Sequence, residues 1–129
     1  MASRFTELCL DCHDPHALAP FWAEALDYVV TESDDHLVEL SGPPGSGPTL
    51  VLLKVPDDKV VKNRMHIDVS PTDRDQDAEV QRLLALGAVH ADVGQGPDAS
   101  WVVLADPQGN EFCVLRSRVD PLPPTDEAD

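Results

Sequence analysis

Two stretches of this chain carry the same order of hydrophobic and polar positions. Glu7-Leu8-Cys9-Leu10 lies over His66-Ile67-Asp68-Val69, and a segment ending Ala25-Leu26-Asp27-Tyr28 matches one ending Ala85-Leu86-Gly87-Ala88. Within these segments apolar residues recur at helical spacing: Leu18, Phe21, Trp22, Ala25 and Leu26 in the first, then Val80, Leu83, Leu84 and Leu86 in the second. A period of 3.6 residues puts such positions on one face, so each copy is predicted to be a short strand followed by an amphipathic helix. Gly87 suits the left-handed residue that ends a helix, and Asp27 is a tolerable substitute.

The register continues downstream. Leu37-Val38-Glu39-Leu40 lies over Trp101-Val102-Val103-Leu104, Gly42-Pro43-Pro44-Gly45 over Asp106-Pro107-Gln108-Gly109, and Leu50-Val51-Leu52-Leu53-Lys54 over Phe112-Cys113-Val114-Leu115-Arg116. Strand, Gly/Pro turn and strand make a hairpin. One more strand fits in each copy, near Tyr28-Val29-Val30-Thr31 and Val89-His90-Ala91-Asp92. The pattern therefore predicts an α+β fold of two βαβββ modules, about residues 5–56 and 65–118. They form an open, curled mixed sheet around a cavity, with the helices outside. A single domain over 1–119 is expected, followed by an acidic, Pro-rich disordered tail over 120–129.

Strand alternation assigns side chains to faces. Leu8, Leu10 and Cys12 form the helix-facing set of the first strand and leave Glu7, Cys9 and Asp11 inside; in its repeat Ile67 and Val69 pack outward and leave His66 and Asp68 inside. In the last strand Phe112 and Val114 take one face, and Glu111, Cys113 and Leu115 the other. Glu7, His66 and Cys113 are thus candidates to converge from three strands as carboxylate, imidazole and thiol. Such a set binds zinc or another divalent ion, or performs acid/base chemistry without one. Each also has a plainer reading: His66 as a strand histidine hydrogen-bonded to Asp68, and Cys113 as a small buried hydrophobe. Trp101, Trp22 and Phe21 are core candidates first, and Trp101 also fits as a stacking wall for a ligand.

Composition narrows the function classes. At 129 residues the chain is one domain's worth. Its net charge of −15 repels phosphate backbones and anionic headgroups, and there is no basic stripe with interleaved aromatics, so nucleic-acid and membrane roles are not expected. No signal-peptide run is visible, and no segment approaches the roughly 20 apolar residues that span a bilayer, so a cytoplasmic protein is expected. All three lysines, Lys54, Lys59 and Lys62, lie with Arg64 in the connection between the modules. That connection reads as a solvated linker or, more sharply, as an anchor for an anionic ligand at the cavity mouth. Cys9-Leu10-Asp11-Cys12-His13 is a literal C-x-x-C-H, with His16 nearby, which raises haem attachment or zinc. Alternation in a strand opposes both, because it points Cys9 and Cys12 to opposite sides. The three cysteines are expected as reduced thiols. Signatures of nucleophilic serine, phosphate-cradling and dinucleotide-binding sites are missing.

The segments Lys62-Asn63-Arg64-Met65-His66-Ile67-Asp68 and Asp106-Pro107-Gln108-Gly109-Asn110-Glu111-Phe112-Cys113, with Asp14-Pro15, Phe21-Trp22, Leu26 and Leu86-Gly87, carry a resemblance. Over roughly residues 5–118 the chain resembles compact glyoxalase-like proteins of the vicinal-oxygen-chelate superfamily, which includes glyoxalase I, bleomycin-resistance proteins and extradiol dioxygenases. The resemblance implies a divalent metal held by four side chains, one from the first and one from the last strand of each module. Here those positions are Glu7, about Val51, His66 and Cys113; Val51 cannot coordinate, and Cys113 stands where glutamate is usual. A three-ligand site of Glu7, His66 and Cys113 for zinc, iron, nickel or manganese is what remains.

On that resemblance the first expectation is a glyoxalase-like enzyme, a lyase or dioxygenase relative, with Glu7 as base and His66 as ligand or acid. Asp68, Trp101, Lys62 and Arg64 would contact its small-molecule ligand. The second is a metal-free binding or sequestering protein of the bleomycin-resistance type, and the third a relic that binds nothing tightly. One scaffold hosts many chemistries in this superfamily, so the fold is the more specific implication. Such folds commonly dimerise through exposed sheet edges, and a homodimer is expected.

Overall fold

The protein is described here by a computed structural model that covers residues 2–122. From residue 123 onward the expected tail lies outside the described residues. The chain divides into two compact units, one running to Asp58 and the other spanning Lys59–Pro121.

The first unit contains β1 (Glu7–Cys12), α1 (Pro15–Leu26), β2 (Val29–Ser33), β3 (Leu37–Ser41) and β4 (Thr49–Lys54). The second contains β5 (Ile67–Val69), α2 (Gln76–Leu86), β6 (Val89–His90), β7 (Val102–Ala105) and β8 (Glu111–Val114). Each unit is thus one βαβββ module. The strands form two open four-stranded sheets, ordered β1-β4-β3-β2 and β5-β8-β7-β6. In both, the first strand runs parallel to the last, and the other neighbours are antiparallel.

Both helices begin at an aspartate, because a short carboxylate in extended backbone can satisfy a first-turn N–H. Asp14 accepts from the Ala17 N–H at 3.1 Å, with Pro15 opening α1, and Asp75 accepts from the Ala78 N–H at 2.9 Å. Both end at a residue with positive φ, Asp27 at 57° and Gly87 at 122°. Leu18, Phe21 and Trp22 bury the apolar stripe of α1 over Val38, Leu40, Leu50 and Leu52 of β3 and β4. Val80 and Leu83 do the same for α2, which packs on β8 with its Phe112 and Val114.

The period-of-two assignment holds where burial reports on it. Along β1, Glu7, Cys9 and Asp11 are exposed, while Leu8, Leu10 and Cys12 are progressively covered. Cys9 is exposed and Cys12 buried, in keeping with strand alternation that points them to opposite sides. Strand ends differ from expectation in the second module. β5 starts one residue after His66, β7 one residue after Trp101, and β6 keeps only Val89–His90, although Ala91 N–H still reaches the Val103 carbonyl at 3.1 Å. Gly94 and Gly96, both with positive φ, turn the backbone out of the extended region between β6 and β7. No helix among the described residues is long and apolar enough to cross a membrane.

Candidate functional site

Sheet register brings the second module's chemistry onto one face. Asp68 lies opposite Cys113, and Cys113 opposite Val103. All three therefore project away from the face on which Phe112 and Val114 meet α2. His66, two residues before Asp68, lies on the same side, with Nε2 3.2 Å from Asp68 Oδ1. The candidate ligand atoms of His66, Asp68 and Cys113 all lie within 4.8 Å of one another. His66 and Asp68 are close to half exposed, whereas Cys113 is 7% exposed and forms a floor. Burial pushes the Cys113 thiol up, the Asp68 charge and hydrogen bond push it the same way, and Lys62 opposes them.

This cluster borders a cavity of about 250 Å³ within the second unit, whose other walls include Lys62, Asn63, Trp101, Glu111 and the 93–95 loop. Trp101 is 40% exposed, so it is a wall of the cavity and not the core residue expected first, whereas Trp22 and Phe21 are core. The difference follows the same alternation: Trp101, two residues before Val103, is in phase with Val103 and Cys113 on the open face, whereas Leu104, opposite Phe112, lies on the helix-packed face.

One wall is a strap from the connection between the modules, latched by a single carboxylate. Lys59 Nζ donates to Glu111 Oε2 at 2.6 Å, and the Asn63 N–H donates to Glu111 Oε1 at 2.8 Å. The Lys59 and Glu111 side chains are only 19% and 14% exposed. Burial raises the Glu111 carboxyl, but the Lys59 and Asn63 bonds outweigh it and leave it below the usual carboxylate range. The solvated-linker reading is thus corrected for Lys59, which is ion-paired and largely covered; Lys62 is exposed and also lines the cavity, and Arg64 is exposed and outside the lining residues.

The adjoining hairpin is fixed by Asp106, which is 1% exposed. Its Oδ1 accepts the Gln108 and Asn110 N–H groups at 2.9 and 3.0 Å, and the Asn110 amide donates to Oδ2 at 3.2 Å. Gly109 closes the turn with φ 93°, beside the Lys59 side chain. These bonds are why an Asp-Pro-Gln-Gly-Asn sequence precedes β8.

The open face of the first module is of another kind. Glu32 pairs with Glu39, Glu39 with Val51, and Val51 with Cys9, which puts Glu32 and Glu39 on the side of the sheet that carries Glu7. A hydrogen bond shared with Glu32 holds the Glu39 carboxyl above its usual value, and the Glu32 and Glu7 charges add to this. Val51 is buried and apolar.

Of the residues singled out from sequence, His66, Trp101, Lys62 and Cys113 line one cavity, with Asp68 paired to His66, while Glu7 stands on the sheet of the first unit. Glu111 had been assigned to the inner face, but its role was missed. Its partner Lys59 is 52 residues away, and no local pattern reports a loop that returns to the last strand. Imidazole, carboxylate and thiol are together a donor set suited to zinc or a related divalent ion.

A family profile described as Glyoxalase-like domain matches residues 7–115. No curated protein sequence matches significantly. Among solved structures, the fosfomycin resistance protein FosX from Listeria monocytogenes aligns with a TM-score of 0.71 at 16% identity, covering 91% of this chain and 93% of that one. A glyoxalase-related enzyme from Fulvimarina pelagi aligns at 0.63 and 15% identity, covering 88% and 87%. The bleomycin-binding protein from Streptomyces verticillus, solved with copper(II)-bleomycin, aligns at 0.59 and 16% identity, covering 91% and 98%. At these identities the likeness concerns the fold.

Proposed function

The chain belongs to the glyoxalase-like family of the vicinal-oxygen-chelate superfamily, and we propose that it binds a small metabolite in the second-module cavity and performs proton-transfer chemistry on it. The observation that carries this reading is the convergence of an aromatic wall, a lysine and a His66–Asp68 pair on one cavity of about 250 Å³. A largely apolar concavity with a few polar groups is the usual form of a metabolite site.

Each group has a distinct task. Trp101 offers a flat face for a planar part of the ligand. Lys62, held near the cavity by the latched strap, attracts a carboxylate or enolate oxygen, and Arg64 adds positive charge nearby. Asp68, whose Oδ1 lies 3.2 Å from His66 Nε2, orients the imidazole as acid or base. In its enzymatic form this reading makes the protein a lyase or dioxygenase relative. A divalent ion (zinc, iron, nickel or manganese) held at His66 and Cys113 would supply Lewis acidity toward a substrate oxygen.

A second reading is a metal-free sequestering protein, favoured by Val51, which leaves one family ligand position without a donor. A homodimer fits the exposed edge strands, where Val29, Val30 and Val89 are 65%, 51% and 58% exposed. A cytoplasmic setting fits the expectation that the three cysteines are reduced thiols.

Thermal-shift screening with small aromatic and aliphatic acids, and with their neutral amides, tests the site. Acids that stabilise the protein, with the shift lost in Trp101→Ala and Lys62→Ala, are the expected outcome. Stabilisation unchanged in both variants would place the site elsewhere.

A further inference from the structure

We infer that the second module by itself holds a thiophilic divalent ion of the zinc class through His66 Nε2, the Asp68 carboxylate and Cys113 Sγ, drawing no ligand from Glu7. This rests on the reading that the second-module cavity is the functional site. It departs from the family's four-position arrangement, because Asp68 takes the place of the first module's ligand.

The geometry carries the assignment. With zinc bonds of about 2.0–2.3 Å, neighbouring donors of a tetrahedral site stand about 3.3–3.8 Å apart. His66 Nε2 and Asp68 Oδ1 are already 3.2 Å apart, close to one edge of such a tetrahedron. All the donor atoms lie within 4.8 Å of one another, so side-chain rotation alone completes the site. Asp68 and Cys113 are register partners on hydrogen-bonded strands, so sheet pairing fixes two of the three ligands. Three protein ligands leave a fourth position for a cavity ligand, as in catalytic zinc centres.

Charge and softness agree. Binding exchanges the Cys113 S–H bond for a sulfur–metal bond and releases one proton to solvent. The resulting thiolate, with the Asp68 carboxylate, neutralises a divalent ion. Lys59 occupies Glu111, so that carboxylate is engaged elsewhere. Lys62 is the nearby opposing charge, and it suits an anionic fourth ligand. Thiolate with imidazole selects zinc or its analogue cobalt over magnesium and manganese, which prefer oxygen donors.

The test uses the full chain, freed of any affinity tag and dialysed against EDTA, then titrated with cobalt(II) and zinc(II). One equivalent of cobalt should bind with a near-ultraviolet thiolate-to-cobalt band, and zinc should displace it. Cys113→Ser should abolish the band, and Cys9→Ser should keep it. Asp68→Asn and His66→Gln, both at half-exposed positions, should weaken zinc at least about tenfold, while Glu7→Gln stays within about twofold. Thermal unfolding of each metal-free variant confirms that it folds. The inference is overturned by no saturable binding, by a band that survives Cys113→Ser, by Glu7→Gln weakening zinc as much as Asp68→Asn, or by manganese binding as tightly as zinc. The acid screen repeated on metal-free protein separates the two ideas. Acids that bind without any zinc affinity overturn this inference alone, whereas zinc binding with no acid bound overturns the proposed ligand site alone.

Discussion

Glu39 of the first module and Glu111 of the second both project from the open face of a four-stranded sheet, yet their surroundings push their carboxyls in opposite directions. Glu39 shares a hydrogen bond with Glu32 near Glu7 and is raised, while Glu111 holds Lys59 and the Asn63 N–H and is lowered. On the opposite faces the modules agree: Leu50 and Leu52 in one, Phe112 and Val114 in the other, are all 3% exposed or less. The helix-packed face must be apolar in any such module. The open face answers to no such demand, and it is there that the copies have separated into a carboxylate-rich surface and a cavity.

The largest test of this separation lies in the hairpin turns. Asp106 is a buried carboxylate with three donors on it, whereas its counterpart by repeat, Gly42, has no side chain and packs closely against Ser46 and Tyr28. Asp106→Ala strands those donors and should cost about 3 kcal/mol in urea unfolding. Ser46→Ala removes only a hydroxyl bond to the Pro43 carbonyl and should cost about 1 kcal/mol or less. Equal losses would mean that the two turns are held by the same means after all.

Helix ends give a smaller contrast. Gly87 has φ 122°, and an added Cβ would stand 3.3 Å from Pro107 Cγ, so Gly87→Ala should cost about 1–2 kcal/mol. Asp27, at φ 57° and ψ 43°, sits in the left-handed region that glycine enters more readily, so Asp27→Gly should gain about 0.5 kcal/mol. Denaturant midpoints moving the same way in both variants would break the comparison.

The sequence was most legible where one periodicity dominates. The repeat placed all eight strands and both helices of the described residues, and alternation alone separated Cys9 from Cys12. Ends were less legible: His66 and Trp101 fall just outside their strands, because alternation says which face a residue takes but not where pairing stops. Least legible was the Lys59–Glu111–Asn63 latch. Nothing near residue 59 in the chain specifies which carboxylate it will meet, and charge placement alone suggested a solvated linker or an anchor for an anionic ligand, neither of which names Glu111. For Trp101 the sequence left both readings open, core residue or stacking wall, since a large apolar side chain reports burial propensity and not a place at a cavity rim.

The finest contrast is the pH dependence of the two open faces. Glu111→Gln keeps the side chain's shape but loses its charge on Lys59, and should cost about 1 kcal/mol at neutral pH. Because the folded Glu111 carboxyl is lowered, its contribution is present above the ordinary value of 4.5 and is lost as pH falls through the lowered value. Glu39 has the opposite sign: its raised carboxyl makes its contribution present below 4.5 and lost as pH rises through the raised value. Glu39→Gln should therefore leave neutral-pH stability unchanged or improved, since it removes repulsion from Glu32 and Glu7. Stability profiles of the two variants against the parent chain should diverge from it on opposite sides of this window. Parallel profiles would show that Lys59 does not hold Glu111 in solution, and that the strap bearing Lys62 and Asn63 is not latched to the cavity wall.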